Sequence, residues 1–229
     1  MARQPAFTPA ETAAIEGALH RFPIREVCLY RLMVATGLRI AEALKIRICD
    51  VYSNGAVRSD LVCERANLKG GRGARRKVVR SRTIPLHESL KLVVRELVFS
   101  IVGSSPQDPA LAQPLFQSWK GRALSRRQAT YRLRDILLAA GLHDRSGYGW
   151  HCARRTFAAA IYDMTGHDIN LTRQVMGHAH LETTMIYLPE NDAAARAAIL
   201  SLGCPAATAQ NQKAAMAAAD FAELRAGLV

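Results

Sequence analysis

His151 and Arg154 stand three residues apart in the run His151-Cys152-Ala153-Arg154-Arg155, so on a helix they share one face. Backbone amides already point outward at a helix N-terminus, and an imidazole and a guanidinium beside them would complete a grip for a phosphate. An exposed basic helix start would look the same. Farther on come Gly177-His178, Thr183-Thr184 and Tyr187. A tyrosine hydroxyl is a nucleophile once its proton is taken. Equally, Tyr187 could be a core aromatic with a wet hydroxyl, Gly177 a helix C-cap and His178 a surface residue. A third stretch, Thr36-Gly37-Leu38-Arg39-Ile40-Ala41-Glu42, sets an arginine at a helix start with an acid one turn on. Its plain alternative is a surface ion pair, which is worth little.

The pattern of the chain predicts the elements that would hold these groups. Residues 1–23 read as an arm leading into a helix, with Thr8-Pro9 and Glu11 as its cap. Helical periodicity runs from Ile24 to Ala35, is broken at Thr36-Gly37, and resumes from Arg39 to Ile46. Two β-rich pieces, Val57–Arg65 and Lys77–Leu86, flank Gly70-Gly71-Arg72-Gly73 and predict a small antiparallel sheet with a long basic turn. Glu88–Ile101 is helical again, and the proline-bearing stretch Gly103–Gln117 is a loop. Ser125 with Gln128 makes a capping box for a helix striped by Leu133, Ile136, Leu137 and Ala140 and closed by Gly141. The next helix starts near His151 and is expected to bury Phe157, Ala160, Ile161 and Met164. Short helices follow at Leu171–Met176 and Thr183–Leu188. The fold class is mainly α with one small antiparallel sheet (α+β). The expected division is an arm at 1–23, a principal domain at 24–190 and an alanine-rich helical tail at 191–229.

Composition narrows the partners. Lys and Arg number 31 against 19 Asp and Glu, a net charge of +12 with a pI near 10.0, which favours a polyanion whose counterions are released on binding. A basic protein merely kept soluble by its charge is the other reading. The five cysteines, Cys28, Cys49, Cys63, Cys152 and Cys204, are odd in number and form no CxxC pair, which argues against a disulfide framework or a zinc site and for a reducing cytoplasm. No apolar run approaches the ~20 residues of a membrane span, and the N-terminus has no signal-peptide core. Dispersed acidic residues imply no metal, and no cofactor is expected.

Taken together, ATGLRIAEALKI and HCARRTFAAAIYDMTGHDINLTRQVMGHAHLETTMIYL resemble the catalytic domain of the tyrosine recombinases, the phage integrase family, whose pattern is roughly TGLRxxEhLxL, HxLRHTFAxxh and LGHxxxxTTxxY in that order. The resemblance runs from about Arg25 to Tyr187. It implies Arg39 and Arg154 as the catalytic arginines, His151 and His178 as the histidines, Tyr187 as the nucleophile and Glu42 as the acid supporting the first arginine. Ala153 and Arg155 stand where the family has leucine and histidine, which bears on packing and DNA contact. The family's hairpin lysine is matched by Lys69, with Lys77 as the alternative. Arg72, Arg75, Arg76, Arg80, Arg82 and Arg155 would then meet the DNA backbone, or stand in a solvated basic loop.

By that resemblance the chain would cut and rejoin double-stranded DNA through a 3′-phosphotyrosine, without metal or ATP. Two planar guanidinium forks would hold the charge that builds on the phosphate, the lysine would protonate the leaving oxygen, His151 would serve as base and His178 as a phosphate donor. A homo-oligomer on DNA, a tetramer in synapsis, and accessory DNA-bending proteins are the implied partners, with Phe221 and Leu224 of the tail available for subunit contacts or for docking on their own domain. Only about twenty-four residues precede the matching region, so the chain reads as a catalytic domain alone or a fragment, and Met1 favours a complete small protein. The other readings are a catalytically silent DNA-binding protein of the same fold and a type IB topoisomerase.

Overall fold

Helix α1 (Pro9–Ala18) starts at the predicted cap: Thr8 Oγ1 accepts the Glu11 N–H at 3.2 Å, the Glu11 carboxylate accepts the Thr8 N–H at 2.9 Å, and Pro9 takes the first helical position. The computed structural model describes residues 5–69, 80–103, 111–142, 147–178 and 180–185. All of these lie in the first of two compact units, Met1–Leu188, the second being Pro189–Val229. The predicted tail at 191–229, with Phe221 and Leu224, lies outside the described residues.

Helix α2 (Ile24–Thr36) buries Cys28, Leu29, Tyr30, Leu32 and Met33. Apolar side chains on several faces make it the axis of the domain, and it packs against α5 (Glu88–Val102) and α7 (Trp150–Met164). Each fully buried Leu or Ile here stabilises the fold by about 1.5–3 kcal/mol relative to exposure. Helix α6 (Arg126–Ala139) opens on the Ser125–Gln128 capping box, buries Leu133, Ile136 and Leu137, and receives α1. The arm is part of this core. Phe7 is buried, its N–H donates to Thr156 Oγ1 at 2.9 Å, and the Tyr148 hydroxyl donates to Glu11 at 2.8 Å.

After the single-turn helices α3 (Ile40–Ala43) and α4 (Ile48–Val51), two antiparallel pairs replace the one sheet expected. Strands β1 (Tyr52–Ser53) and β2 (Ala56–Val57) form a tight hairpin, while β3 (Asp60–Cys63) pairs with β4 (Arg82–Pro85), setting Leu61 opposite Ile84. The hairpin turn is Asn54-Gly55, both at positive φ, the dipeptide that two-residue hairpins favour; Val57 therefore belongs to the first pair.

A second correction concerns α7. Its buried face is Cys152, Ala153, Arg154, Phe157 and Ala158, whereas Ala160 is exposed and Met164 is 83% exposed. The expected stripe was displaced toward the helix C-terminus because Arg154, a charged residue, occupies the core face. Helices α8 (Ile169–Met176) and α9 (Leu181–Met185) complete the described chain, α8 packing on both α7 and α9.

Candidate active site

Helix α2 ends on Gly37, at φ +59, and a Cβ there would lie 2.2 Å from Phe157 Cδ1. Only glycine allows this left-handed turn to press against α7. The turn delivers two things: the Gly37 carbonyl, which accepts from Arg154 Nη1, and Arg39 at the cap of α3. The Arg39 N–H donates to Glu42 Oε2 at 3.0 Å and its Nη1 to Glu42 Oε1 at 3.2 Å. Glu42 is only 5% exposed, so the surface-pair reading does not hold. Its Oε1 also accepts the Lys69 N–H at 3.1 Å, from 27 residues away. Burial alone would raise the Glu42 pKa; the Arg39 N–H and charge, the Lys69 N–H and the Arg154 charge outweigh it and hold the carboxyl below its ordinary value.

Arg154 has no exposed surface, which removes the exposed-helix-start reading. Its guanidinium lies between the ends of two helices. Besides Gly37 O, Nη2 donates to Met176 O at 3.3 Å and lies 2.7 Å from His178 Nε2. Carbonyls at helix C-termini carry the negative end of the backbone dipole, which makes them suitable neighbours for a buried cation. The fork predicted to hold a phosphate is therefore directed at protein acceptors in this arrangement.

His178 follows Gly177, the left-handed cap of α8, and is 5% exposed. Its ring bridges Arg154 and Thr184: Nε2 faces Arg154, and Nδ1 is 3.0 Å from Thr184 Oγ1. A guanidinium can only donate, so Nε2 is the acceptor and the proton sits on Nδ1, assigned from the network. Burial, then the charges of Arg154, Arg39 and Arg82, push the His178 pKa down to about 3. The ring is neutral, with its one N–H turned to Thr184; the sequence expectation of a phosphate donor differs from this placement.

Arg82, grouped with the loop arginines by sequence, reaches inward from β4. Its Nη2 donates to Val175 O at 2.7 Å, and burial lowers its pKa. A Cβ on Gly177, at φ +64, would lie 2.6 Å from Arg82 Cδ, so a side chain there would both strain the left-handed backbone and push the Arg82 side chain aside. His151 is exposed in the first turn of α7. Loss of solvent and then the charges of Arg154, Arg39, Arg155 and Arg126 lower its pKa. Lys69 and Arg80 are exposed and Arg155 is partly buried. Tyr187, Lys77, Arg72, Arg75 and Arg76 lie outside the described residues.

Sequence reasoning used α6 only for its cap and stripe and missed its outer face. Arg126, Arg127, Thr130, Tyr131 and Arg134 line a shallow surface depression, with Arg127 Nε donating to Tyr131 Oη at 3.0 Å. The signal was present as arginines and a tyrosine at three- and four-residue intervals. Among the described residues no His/Cys/Asp/Glu group is placed to hold a metal ion, the four cysteines are free thiols, and no helix is long and apolar enough to cross a membrane.

A model of the phage integrase family matches residues 6–194. Tyrosine recombinase XerH of Helicobacter pylori is 31% identical over 166 residues, covering 71% of this chain and 40% of that protein. Tyrosine recombinase XerC of Rhodospirillum centenum is 30% identical over 165 residues, covering 72% and 42%. The chain thus spans about two-fifths of the length of these relatives. Among solved structures, XerA recombinase superposes with a TM-score of 0.63 at 21% identity, over 87% of this chain and 64% of that one. XerH site-specific recombinase bound to a palindromic difH substrate, a post-cleavage complex, gives 0.60 at 24% identity, over 81% and 50%. Both are likenesses of fold.

Proposed function

The chain belongs to the phage integrase family, and on that premise we propose that it is the catalytic part of a site-specific recombinase that cuts and rejoins double-stranded DNA with Tyr187 as nucleophile. The Tyr187 oxygen attacks phosphorus, the bond from phosphorus to the 5′-oxygen breaks, and that oxygen leaves as a hydroxyl after taking a proton from a lysine, Lys69 or the alternative Lys77. The 3′-phosphotyrosyl bond keeps the energy of the phosphodiester, so a 5′-hydroxyl reverses the step without metal or ATP. Arg39 and Arg154 offset the charge on the non-bridging oxygens, with Glu42 aiming Arg39. His151, exposed and with a lowered pKa, is suited to receive the tyrosine proton.

The observation that carries this reading is the joining of Arg39, Glu42, Lys69, Arg154 and His178, from four separate stretches of sequence, through hydrogen bonds and charge. A second basic surface lies on α6, whose Arg126 charge is felt at His151; its arginines are suited to the DNA backbone, as are Arg72, Arg75, Arg76, Arg80 and Arg155. Strand exchange requires paired duplexes, so a tetramer of this chain in synapsis, with DNA-bending partners, is the expected assembly.

A nicked suicide substrate drawn from the DNA around the gene tests the reading. Wild type is expected to form a covalent adduct on denaturing gels without magnesium, and Tyr187→Phe to form none while binding nearly as well. Adduct formation by Tyr187→Phe overturns the assignment of the nucleophile. Binding without any adduct from wild type points to a silent DNA-binding protein.

A further inference from the structure

We propose that Thr184 is a positioning residue: its hydroxyl accepts the Nδ1–H that the Arg154 pairing imposes on His178, and so keeps the ring in the tautomer that holds Arg154 in place for the reaction. This rests on the recombinase reading and deepens it.

Thr184 is fully buried on α9, and its Oγ1 lies 3.0 Å from His178 Nδ1. A buried hydroxyl is costly unless bonded, so valine, its near-isostere, would fill the same space at lower cost if packing were the only requirement. The hydroxyl has a specific task instead. A neutral imidazole has one donor and one acceptor nitrogen. Arg154 Nη2 can only donate, so it requires the lone pair on Nε2, and Thr184 accepts the Nδ1–H that this leaves inside the fold. Without that acceptor the ring gains freedom to carry its proton on Nε2. Two donors would then face one another across a 2.7 Å gap, and the guanidinium would be driven from the line it keeps between Gly37 O and Met176 O. The low pKa of His178 excludes the doubly protonated ring at neutral pH, so the choice is between tautomers.

The relay therefore runs from Thr184 Oγ1 through His178 to Arg154. Thr184 precedes Tyr187 by three residues, so the segment leading to the proposed nucleophile also carries the acceptor that orients an arginine of the phosphate site.

The test uses the full chain, labelled with nitrogen-15 in histidine, and long-range proton–nitrogen correlation at pH 7 to read the His178 tautomer. Cleavage of the suicide substrate and DNA affinity are measured in parallel. Wild type and Thr184→Ser are expected to show the Nδ1–H form and to cleave alike. Thr184→Val is expected to shift toward Nε2–H and to cleave about tenfold more slowly, with DNA Kd changed by less than about twofold. An unchanged tautomer and unchanged cleavage in Thr184→Val overturn the proposal, as does equal loss in the Ser and Val variants with lowered Tm. If Thr184→Val does not fold, the wild-type spectrum decides: an Nε2–H ring, or one titrating near the free histidine value, overturns the relay. Failure of the wild type to form any adduct while Thr184→Val shifts the tautomer overturns the recombinase reading and leaves the relay standing.

Discussion

His178 and Arg154 face one another through Nε2 and Nη2 at 2.7 Å, and the pairing requires an imidazole without a second proton. Protonated, the ring would place a cation against the buried guanidinium, which is why its pKa is pushed down to about 3 by burial first and by Arg154, Arg39 and Arg82 next.

A pH dependence follows from this pair. The folded pKa lies below the ordinary histidine value of 6.5, so the unfolded state binds the proton first as pH falls. Stability from the neutral ring is fully present above about 6.5 and is lost as pH falls toward about 3, by at most about 1.4 kcal/mol per pH unit. Urea denaturation of wild type and His178→Asn is expected to give a stability difference that shrinks between pH 6.5 and 4; a constant difference contradicts the linkage.

Glu42→Gln probes the other end of the site. The carboxylate accepts three donors, Arg39 N–H, Arg39 Nη1 and Lys69 N–H, and an amide replaces one acceptor oxygen with a donor facing a donor. A loss of about 2–3 kcal/mol in unfolding free energy is expected. Because the folded Glu42 pKa is lowered from 4.5, this stability is present above about 4.5 and is lost as pH falls through the depressed value. Wild type and variant should therefore converge in strongly acidic buffer.

Gly177→Ala forces a Cβ to within 2.6 Å of Arg82 Cδ in a left-handed backbone. Strain of about 1–2 kcal/mol from the backbone alone adds to displacement of Arg82 from Val175 O. The double variant with Arg82→Ala is expected to lose less than the sum of the two single losses, since the collision is absent. Strict additivity in a thermal-unfolding cycle removes this contact as the cause.

DNA binding should report on α6. Arg127→Ala is expected to weaken binding similarly on different sequences and to reduce the slope of log K against log salt by about one, the signature of a single phosphate contact. An unchanged slope assigns the α6 face to some other role.

Much of this was legible because local chemistry agreed with the final structure. The Thr8–Glu11 and Ser125–Gln128 caps, the Gly37 and Gly177 stops and the β3–β4 pairing all depend on near neighbours or strong turn signals. The motif pointed to Arg39, Glu42, Arg154 and His178. Three things were hidden. Arg154 on the core face of α7 defeats any stripe drawn from apolar residues alone, and Met164, apolar and in helical register, is 83% exposed. Arg82 looked like one more loop arginine, because its inward turn depends on Val175, 93 residues away. Thr184 gave no signal apart from its place in the motif, since a hydroxyl's partner is fixed only by tertiary contact. The second hairpin is a different kind of miss: Asn54-Gly55 was there to be read.

The bare hydrogen of Gly177, against which Arg82 lies, also gives the history of these two positions a direction. Replacing Gly177 first meets both the left-handed backbone and the arginine; replacing Arg82 first removes the collision and leaves only the backbone preference, mildest for asparagine. Lineages descending from such a chain should lose the arginine before the glycine, so a side chain at 177 should be found beside a shortened residue at 82, and the reverse order should be scarce.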